Sequence, residues 1–294
     1  MTSTAVAVTF GLLTALANAA AVMMQHVASS AGGRRGWSWV RQVVHHPLWL
    51  LGWVAMAGSL VFQAVALHAG PMSLVQPLLV GELVIALVLR RLWRRQRLSR
   101  PAWTSAAVTT LALVTVLVVV DPHGIARTPT RVAWVTTIVA SAIAVLVLVA
   151  LARGAGPVRR AASFATATAV LWALEATFIK SATDVLVAGG VGALLTSWPL
   201  YALVVAGLGG LTTEQLALRE GPLRVSQPLI VIVDPLVSVL YGLGLFHERL
   251  ASSGGALLVA GLGVVAMSIG VVVMTSSVPE SLVPEVRPAP PSGD

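Results

Sequence analysis

Three carboxylates stand inside long apolar stretches of this sequence: Glu82, Glu175 and Asp234. A charged side chain in the hydrocarbon core of a bilayer costs roughly 2.5 to 3.5 kcal/mol on insertion scales, so each of them needs a reason. Carboxylates at a similar depth on different helices could bind a cation or exchange a proton with a substrate. The alternative is that each is neutralised by a structural partner. That alternative fits a fourth carboxylate, Glu214, somewhat better, because Glu214 lies closer to one end of its apolar stretch.

Prolines and amides near these carboxylates predict supporting or gating roles. Pro77 and Pro228 each fall inside a predicted helix, where proline removes a backbone donor and frees the carbonyl four residues earlier. Such a carbonyl survives in a membrane only if it is buried in protein or faces water. Gln76 and Gln227 precede the two prolines and could form hydrogen bonds there. Two interpretations of these residues stay open: a flexible gate lined by polar groups, and an ordinary helix kink.

Asn18 and Lys180 are two further polar candidates in apolar surroundings. Asn18 could line a cavity, although a hydrogen bond between helices is the more frequent use of such a residue. Lys180 stands four residues before Asp184, so the two side chains could pair along one face of a helix.

The elements that must position these side chains are membrane-spanning helices. Of 294 residues, 57% are hydrophobic and only 10% are charged, with a mean hydropathy of +0.89. A soluble domain carries about 25% charged residues. The net charge of +8 comes from arginines between apolar stretches, which the positive-inside rule explains better than nucleic-acid binding does. The absence of cysteine excludes disulfides and thiolate metal sites, and no enzyme or phosphate-loop motif occurs, so we expect no enzyme and no cofactor.

The sequence predicts an all-α membrane protein of about nine transmembrane helices. They are placed at 4–25, 47–69, 71–91, 102–121, 131–152, 161–184, 196–218, 222–246 and 254–275. The first stretch lacks the basic residues that begin a signal peptide, so it is expected to be retained as a helix. The segment 276–294 is rich in Pro, Ser and Glu and is predicted to be a disordered cytoplasmic tail.

The arginines predict the orientation in the membrane. Fourteen arginines fall in the loops that follow the first, third, fifth and seventh helices, and only three fall in the opposite loops. Because basic residues concentrate on the cytoplasmic side, the N-terminus is predicted to lie outside and the C-terminus in the cytoplasm. We expect a multi-pass protein of a bacterial-type inner or plasma membrane.

An internal repeat indicates how the helices are organised. The segment 66–80 recurs 151 residues later at 217–231, and eight of its fifteen positions are identical, including a Gly-Pro and a Gln-Pro at the same spacing. An offset of five helices is odd, so the two copies are predicted to face opposite ways across the membrane. Inverted repeats are typical of secondary transporters, whose substrate site lies near the midplane between the halves. We therefore predict a first half at 1–121, with four helices, and a second half at 131–275, with five.

The inverted repeat, the Gly-Pro-x-x-x-x-Gln-Pro-Leu pattern and a Glu-Arg-Leu at 248–250 resemble the drug/metabolite transporter (DMT, EamA-like) superfamily. The resemblance covers most of residues 4–275 and implies a transporter of small solutes. The nine-helix arrangement and the Leu-Val-x-Pro-Leu at 74–78 are similar to the NIPA-type magnesium transporters, in which a lysine stands where Lys180 does. This chain departs from that group in two places. Gly58 is followed by Ser59 where Gly-Glu is usual, and the third helix ends in arginines where Glu-Arg-Leu is usual.

Three functions stay open on the sequence alone. The leading one is a secondary transporter or permease that moves a small solute by alternating access, with possible proton coupling. The second is a transporter of magnesium or another divalent cation, with Glu82 and Asp234 as metal ligands. The third is a non-transporting scaffold in the lipid bilayer. No nucleic-acid partner is expected, and the sequence leaves a homodimer open.

Overall fold

The computed structural model describes residues 3–30, 45–94, 100–120, 128–250 and 254–276 of the chain. The described part is all-helical. Its helices are α1 (Ser3–Ser30), α2 (Pro47–Ala69), α3 (Met72–Leu79), α4 (Gly81–Arg94), α5 (Arg100–Val120), α6 (Arg131–Ala152), α7 (Pro157–Thr196), α8 (Trp198–Glu220), α9 (Leu223–Gly244) and α10 (Gly254–Ser276). Nine spans in this part are long and apolar enough to cross a membrane, with α3 and the first part of α4 forming one of them. The all-α class and the number of spans are confirmed there, while the predicted disordered tail lies almost entirely outside the described residues.

The surfaces of these helices are those of a multi-pass membrane protein. Large apolar side chains point outward, as at Leu146 and Val205, which are 68% and 71% exposed. The interior contains many small residues instead, including Ala15, Ala165 and Thr168, none of which is exposed at all. Lipid is as apolar as leucine, so helices in a bilayer associate through small side chains that allow their backbones to approach closely.

The third predicted helix, placed at 71–91 as one continuous element, is broken in the structure. The backbone N–H of Val80 donates to the carbonyl of Pro77 at 3.1 Å, which tightens and ends α3. The next helix, α4, begins at Gly81. Pro228 has no such effect, because α9 continues through it and through Pro235. The two prolines of the repeat therefore stand in different helical contexts.

The Gly-Pro junctions of the repeat have the same local structure. Gly70 and Pro71 separate α2 from α3, and Gly221 and Pro222 separate α8 from α9. Both glycines are extended, and both prolines have backbone angles of the extended region immediately before the next helix. Proline suits this place because the first residues of a helix have no intrahelical hydrogen bond to lose.

The packing of the helices repeats along the chain. In the first part, α1 packs against α2 and against α3 and α4. In the second part, α7 packs in the same way against α8 and α9. Between the two parts, α3 packs against α9 and α5 packs against α10, while α6 lies against α7 and has no counterpart among the described residues of the first part. This pattern agrees with the predicted repeat; the inversion and the sidedness of the termini stay predictions.

The 40-residue α7 contains one sharp change of direction. Gly190 has φ 72° and ψ −174°, a conformation that glycine adopts without the strain a Cβ would cause. The predicted helix at 161–184 ended before this point. It was too short because the chain resumes a helical path beyond the glycine, up to Thr196.

The α5–α10 contact offers a test of close helix packing. A Cβ on Gly270 would press on the Thr109 hydroxyl and lie 3.1 Å from the Ser105 carbonyl oxygen, whereas one on Gly261 would meet nothing within 4 Å. We expect Gly270→Ala to lower the free energy of unfolding by about 1 to 3 kcal/mol through overpacking. We expect Gly261→Ala, its matched control, to raise that free energy by up to about 1 kcal/mol, since alanine forms helices better than glycine. Thermal unfolding in detergent measures both, and equal effects of the two substitutions would contradict this packing.

Candidate functional site

Glu82 lies in the first turn of α4, directly after the helix break. The side-chain amide of Asn18, from α1, donates to Oε2 of Glu82 at 3.2 Å. The side chain of Glu82 is half-buried. The break is one residue long, because Val80 keeps helical backbone angles and the N–H of Leu83 donates to its carbonyl at 3.2 Å. The sequence placed Asn18 and Glu82 in separate helices, and the structure brings them together.

A second carboxylate faces Glu82 from α8. Glu214 lies near the indole of Trp172 in α7, and it is close enough to Glu82 for the two charges to interact. Glu214 is also half-buried.

Glu175 and Asp234 form the second pair of carboxylates. Glu175 in α7 lies against Gly207 of α8, where an added Cβ would be 3.2 Å from its Oε1. Asp234 in α9 accepts a hydrogen bond from the Ser238 hydroxyl at 3.2 Å. Each of the two is half-buried, and their charges are close enough to interact. The hydroxyl of Tyr241 lies near the same charge.

The polar contacts of this second pair continue into α6. Tyr241 and Ser141 share a hydrogen bond of 2.7 Å between their hydroxyl groups. Ser141 also donates to the carbonyl of Thr137 at 2.6 Å, so Tyr241 is the donor in its hydrogen bond with Ser141. A line of polar groups thus runs from α6 through α9 to α7.

None of these four carboxylates is neutralised by a basic side chain of the described residues. The ion pairs found there are His68 with Asp184 and Arg160 with Glu220, and neither includes one of the four carboxylates. In the same part of the chain, no three His, Asp or Glu side chains come together closely enough to hold a metal ion. Glu82, Glu175, Glu214 and Asp234 therefore form two separate pairs that carry no compensating charge.

Lys180 takes a different partner from the one that the sequence suggested. The proposed pairing with Asp184 was wrong, because Asp184 bonds His68 at 2.6 Å. The ammonium of Lys180 instead donates to the backbone carbonyls of Leu67 and Gly70, the latter at 2.9 Å. Two free carbonyls at the end of α2 can come closer to this buried ammonium than the exposed carboxylate one turn farther along α7.

The two glutamines of the repeat lie in different surroundings. Gln76 in α3 is 1% exposed, and its side-chain nitrogen has no hydrogen-bond partner among the described residues. Gln227 is half-buried, and Pro228 beside it is buried. Neither glutamine is hydrogen-bonded to one of the four carboxylates, so their gating role, and that of Pro77, stays a prediction.

Glu248 is the functional candidate that the sequence did not single out. It follows α9 and is 5% exposed, with its carboxylate bound to the start of α3. It accepts hydrogen bonds from the backbone N–H of Met72 at 2.6 Å, and from the N–H and hydroxyl of Ser73 at 2.9 and 2.7 Å. A carboxylate suits a helix N-terminus, where backbone donors are free. Gly242 makes room for it, because a Cβ there would press on Oε2 of Glu248.

Together the fold and the site describe a multi-pass membrane protein with uncompensated carboxylates among its spans. No protein-family model matches the chain, and no solved structure matches it. An uncharacterised protein of Corynebacterium glutamicum is 25% identical over 284 residues, which cover 95% of this chain and 98% of that protein. The similarity thus extends over almost the whole length of both chains.

Proposed function

We propose that the chain is a secondary transporter that moves a small solute across the membrane by alternating access between its two repeats. The observation that carries this proposal is the set of four half-buried carboxylates without a basic partner, one of them at a helix break. Uncompensated charge within a span is costly, and in membrane proteins it marks ion and substrate pathways. A broken helix at mid-membrane is a recurring part of transporter sites. The resemblance of the repeat to the DMT superfamily points the same way.

In this proposal Glu82, Asp234 and Glu175 bind a cationic substrate or the coupling ion. Asn18 holds Glu82 in place, and Glu214 adds a second negative charge beside it. Each pair of carboxylates attracts a proton or another cation, because two neighbouring negative charges repel each other. Proton coupling follows naturally from such a pair, since binding a cation at one carboxylate would displace a proton.

Magnesium transport is the weaker of the two transport hypotheses. Magnesium prefers several oxygen ligands in octahedral geometry, although it often keeps part of its water. The carboxylates of the described residues stand in two pairs and make no group of three. This arrangement favours a singly charged cation or a protonated solute over a metal ion with many protein ligands.

Flux into liposomes tests the proposed function. The full chain is reconstituted into liposomes that contain a pH-sensitive dye, and a panel of organic amines, amino acids and sugars is added outside. We expect at least one of these compounds to change the internal pH in proteoliposomes but not in empty liposomes. Parallel liposomes with a magnesium-sensitive dye test the metal. Traces identical to those of empty liposomes for the whole panel and for magnesium would contradict transport and favour a scaffold.

A further inference from the structure

Two buried side chains of the second repeat hold the α2–α3 junction of the first. Lys180 of α7 donates to the carbonyls of Leu67 and Gly70, which end α2. Glu248, after α9, accepts three hydrogen bonds from Met72 and Ser73, which begin α3. Every one of these bonds crosses from one repeat to the other.

Because both charged side chains are buried, these contacts hold the two repeats together at this junction. Lys180 is 3% exposed and Glu248 is 5% exposed. The two charges are close enough to attract each other, and the ammonium lies 5.6 Å from the centre of the Phe246 ring. In such surroundings a charge is stable only while its partners stay in place, so the repeats cannot separate here without hydrating both groups.

The related junction, between α8 and α9, is held by a contact of another kind. The nearby ion pair of Arg160 and Glu220, at 2.8 Å, joins α7 to α8 and stays within one repeat. At the repeat offset of 151 residues, Glu248 corresponds to Arg97, and an arginine cannot accept a hydrogen bond.

We propose that Lys180 and Glu248, with Gly70 and Ser73, form a latch that closes one end of the transport pathway and must release during each cycle. The inference rests on the proposed function, which requires the repeats to part alternately at the two ends. By the distribution of arginines the latch lies at the outer end. The structure then represents the state closed to the outside, and opening outward is the step that this latch opposes.

Thiol labelling tests the latch, since the chain contains no cysteine of its own. Thr177, in α7, is fully buried with its hydroxyl 3.8 Å from the sulfur of Met72, so Thr177→Cys reports access between the repeats just below the latch. A membrane-impermeant methanethiosulfonate reagent is added outside intact cells. We expect slow labelling of Thr177→Cys alone. Labelling should be at least about tenfold faster when Lys180→Met or Glu248→Gln is added, because a charge-assisted hydrogen bond shifts an equilibrium by about that factor or more.

Two further cysteines serve as controls. Thr109→Cys replaces a fully buried residue of the α5–α10 contact and should stay slow in every background, which excludes general unfolding. Thr196→Cys replaces an exposed residue at the latch end and should label equally fast in all of them. Equal labelling of Thr177→Cys with and without the latch substitutions would overturn the latch. Labelling of Thr196→Cys only after the cells are permeabilised would overturn its outer position. Faster labelling of Thr177→Cys without flux of any compound would support the latch and contradict the transporter.

Discussion

Proteoliposomes with the double variant Glu82→Gln and Asp234→Asn are expected to lose solute-driven flux by at least about tenfold. Each substitution keeps the shape of the side chain and removes its negative charge. A hydrogen bond to a charged group contributes about 1.5 to 3 kcal/mol, and about 1.4 kcal/mol is a factor of ten in affinity. One change is made in each carboxylate pair, so neither pair keeps both of its charges.

The matched control for this loss is Glu220→Gln with Asp294→Asn, which changes the net charge by the same amount. Glu220 pairs with Arg160 at a helix end, and Asp294 is the last residue of the chain. We expect flux in the control to stay within about a factor of two of the wild type, because partly exposed ion pairs contribute about 1 kcal/mol or less. Unchanged flux in the double variant would remove Glu82 and Asp234 from the transport pathway. The pH-sensitive dye measures the flux of each variant in liposomes that are prepared in the same way.

Glu248→Ala is expected to give the largest loss of stability in the molecule, at least about 3 kcal/mol of unfolding free energy. The substitution leaves three donors without an acceptor, the N–H groups of Met72 and Ser73 and the Ser73 hydroxyl. It also removes one of the two negative charges near the buried ammonium of Lys180, the other being that of Asp184. Thermal unfolding in detergent, followed by tryptophan fluorescence, measures the effect.

Two companion variants separate the causes of this loss. Glu248→Gln keeps one acceptor oxygen, so its free energy of unfolding should lie between those of Glu248→Ala and the wild type. Glu220→Ala removes a partly exposed ion pair and should cost about 1 kcal/mol or less. If Glu248→Ala were no more destabilising than Glu220→Ala, the contact between Glu248 and α3 would have no role in holding the repeats together.

Most of the helical framework could be predicted from composition and from the repeat. Apolar stretches of about twenty residues define the spans, and the two Gly-Pro pairs mark helix starts that the structure places at Met72 and Leu223. The break at Val80 could not be predicted, since Gln-Pro-Leu occurs in both copies and only the first copy breaks. The two copies differ there in sequence, since Gly81 follows Val80 and Ile232 follows Val231. They also differ in packing, since α3 is buried along almost its whole length and α9 is not.

For the candidate site, the sequence indicated which residues are important but not which residues they contact. The rarity of charges in apolar stretches was enough to select Glu82, Glu175 and Asp234. The sequence did not indicate which carboxylates lie near each other, because that depends on the tertiary arrangement of the helices that carry them. Lys180 and Glu248 illustrate the same limit. Their partners lie 110 or more residues away in sequence, and no local pattern indicates them.

Helix α6, which lies between the two copies of the repeat, suggests how such a molecule could arise. Four crossings return a chain to the side of the membrane from which it started. Two copies of a four-span ancestor joined end to end would therefore be inserted with the same orientation. One additional crossing between them, which is the place of α6 in the chain, would turn the second copy over. If the second copy is inverted as predicted, duplication of a four-span unit gives the two opposite orientations only with an odd number of connecting spans.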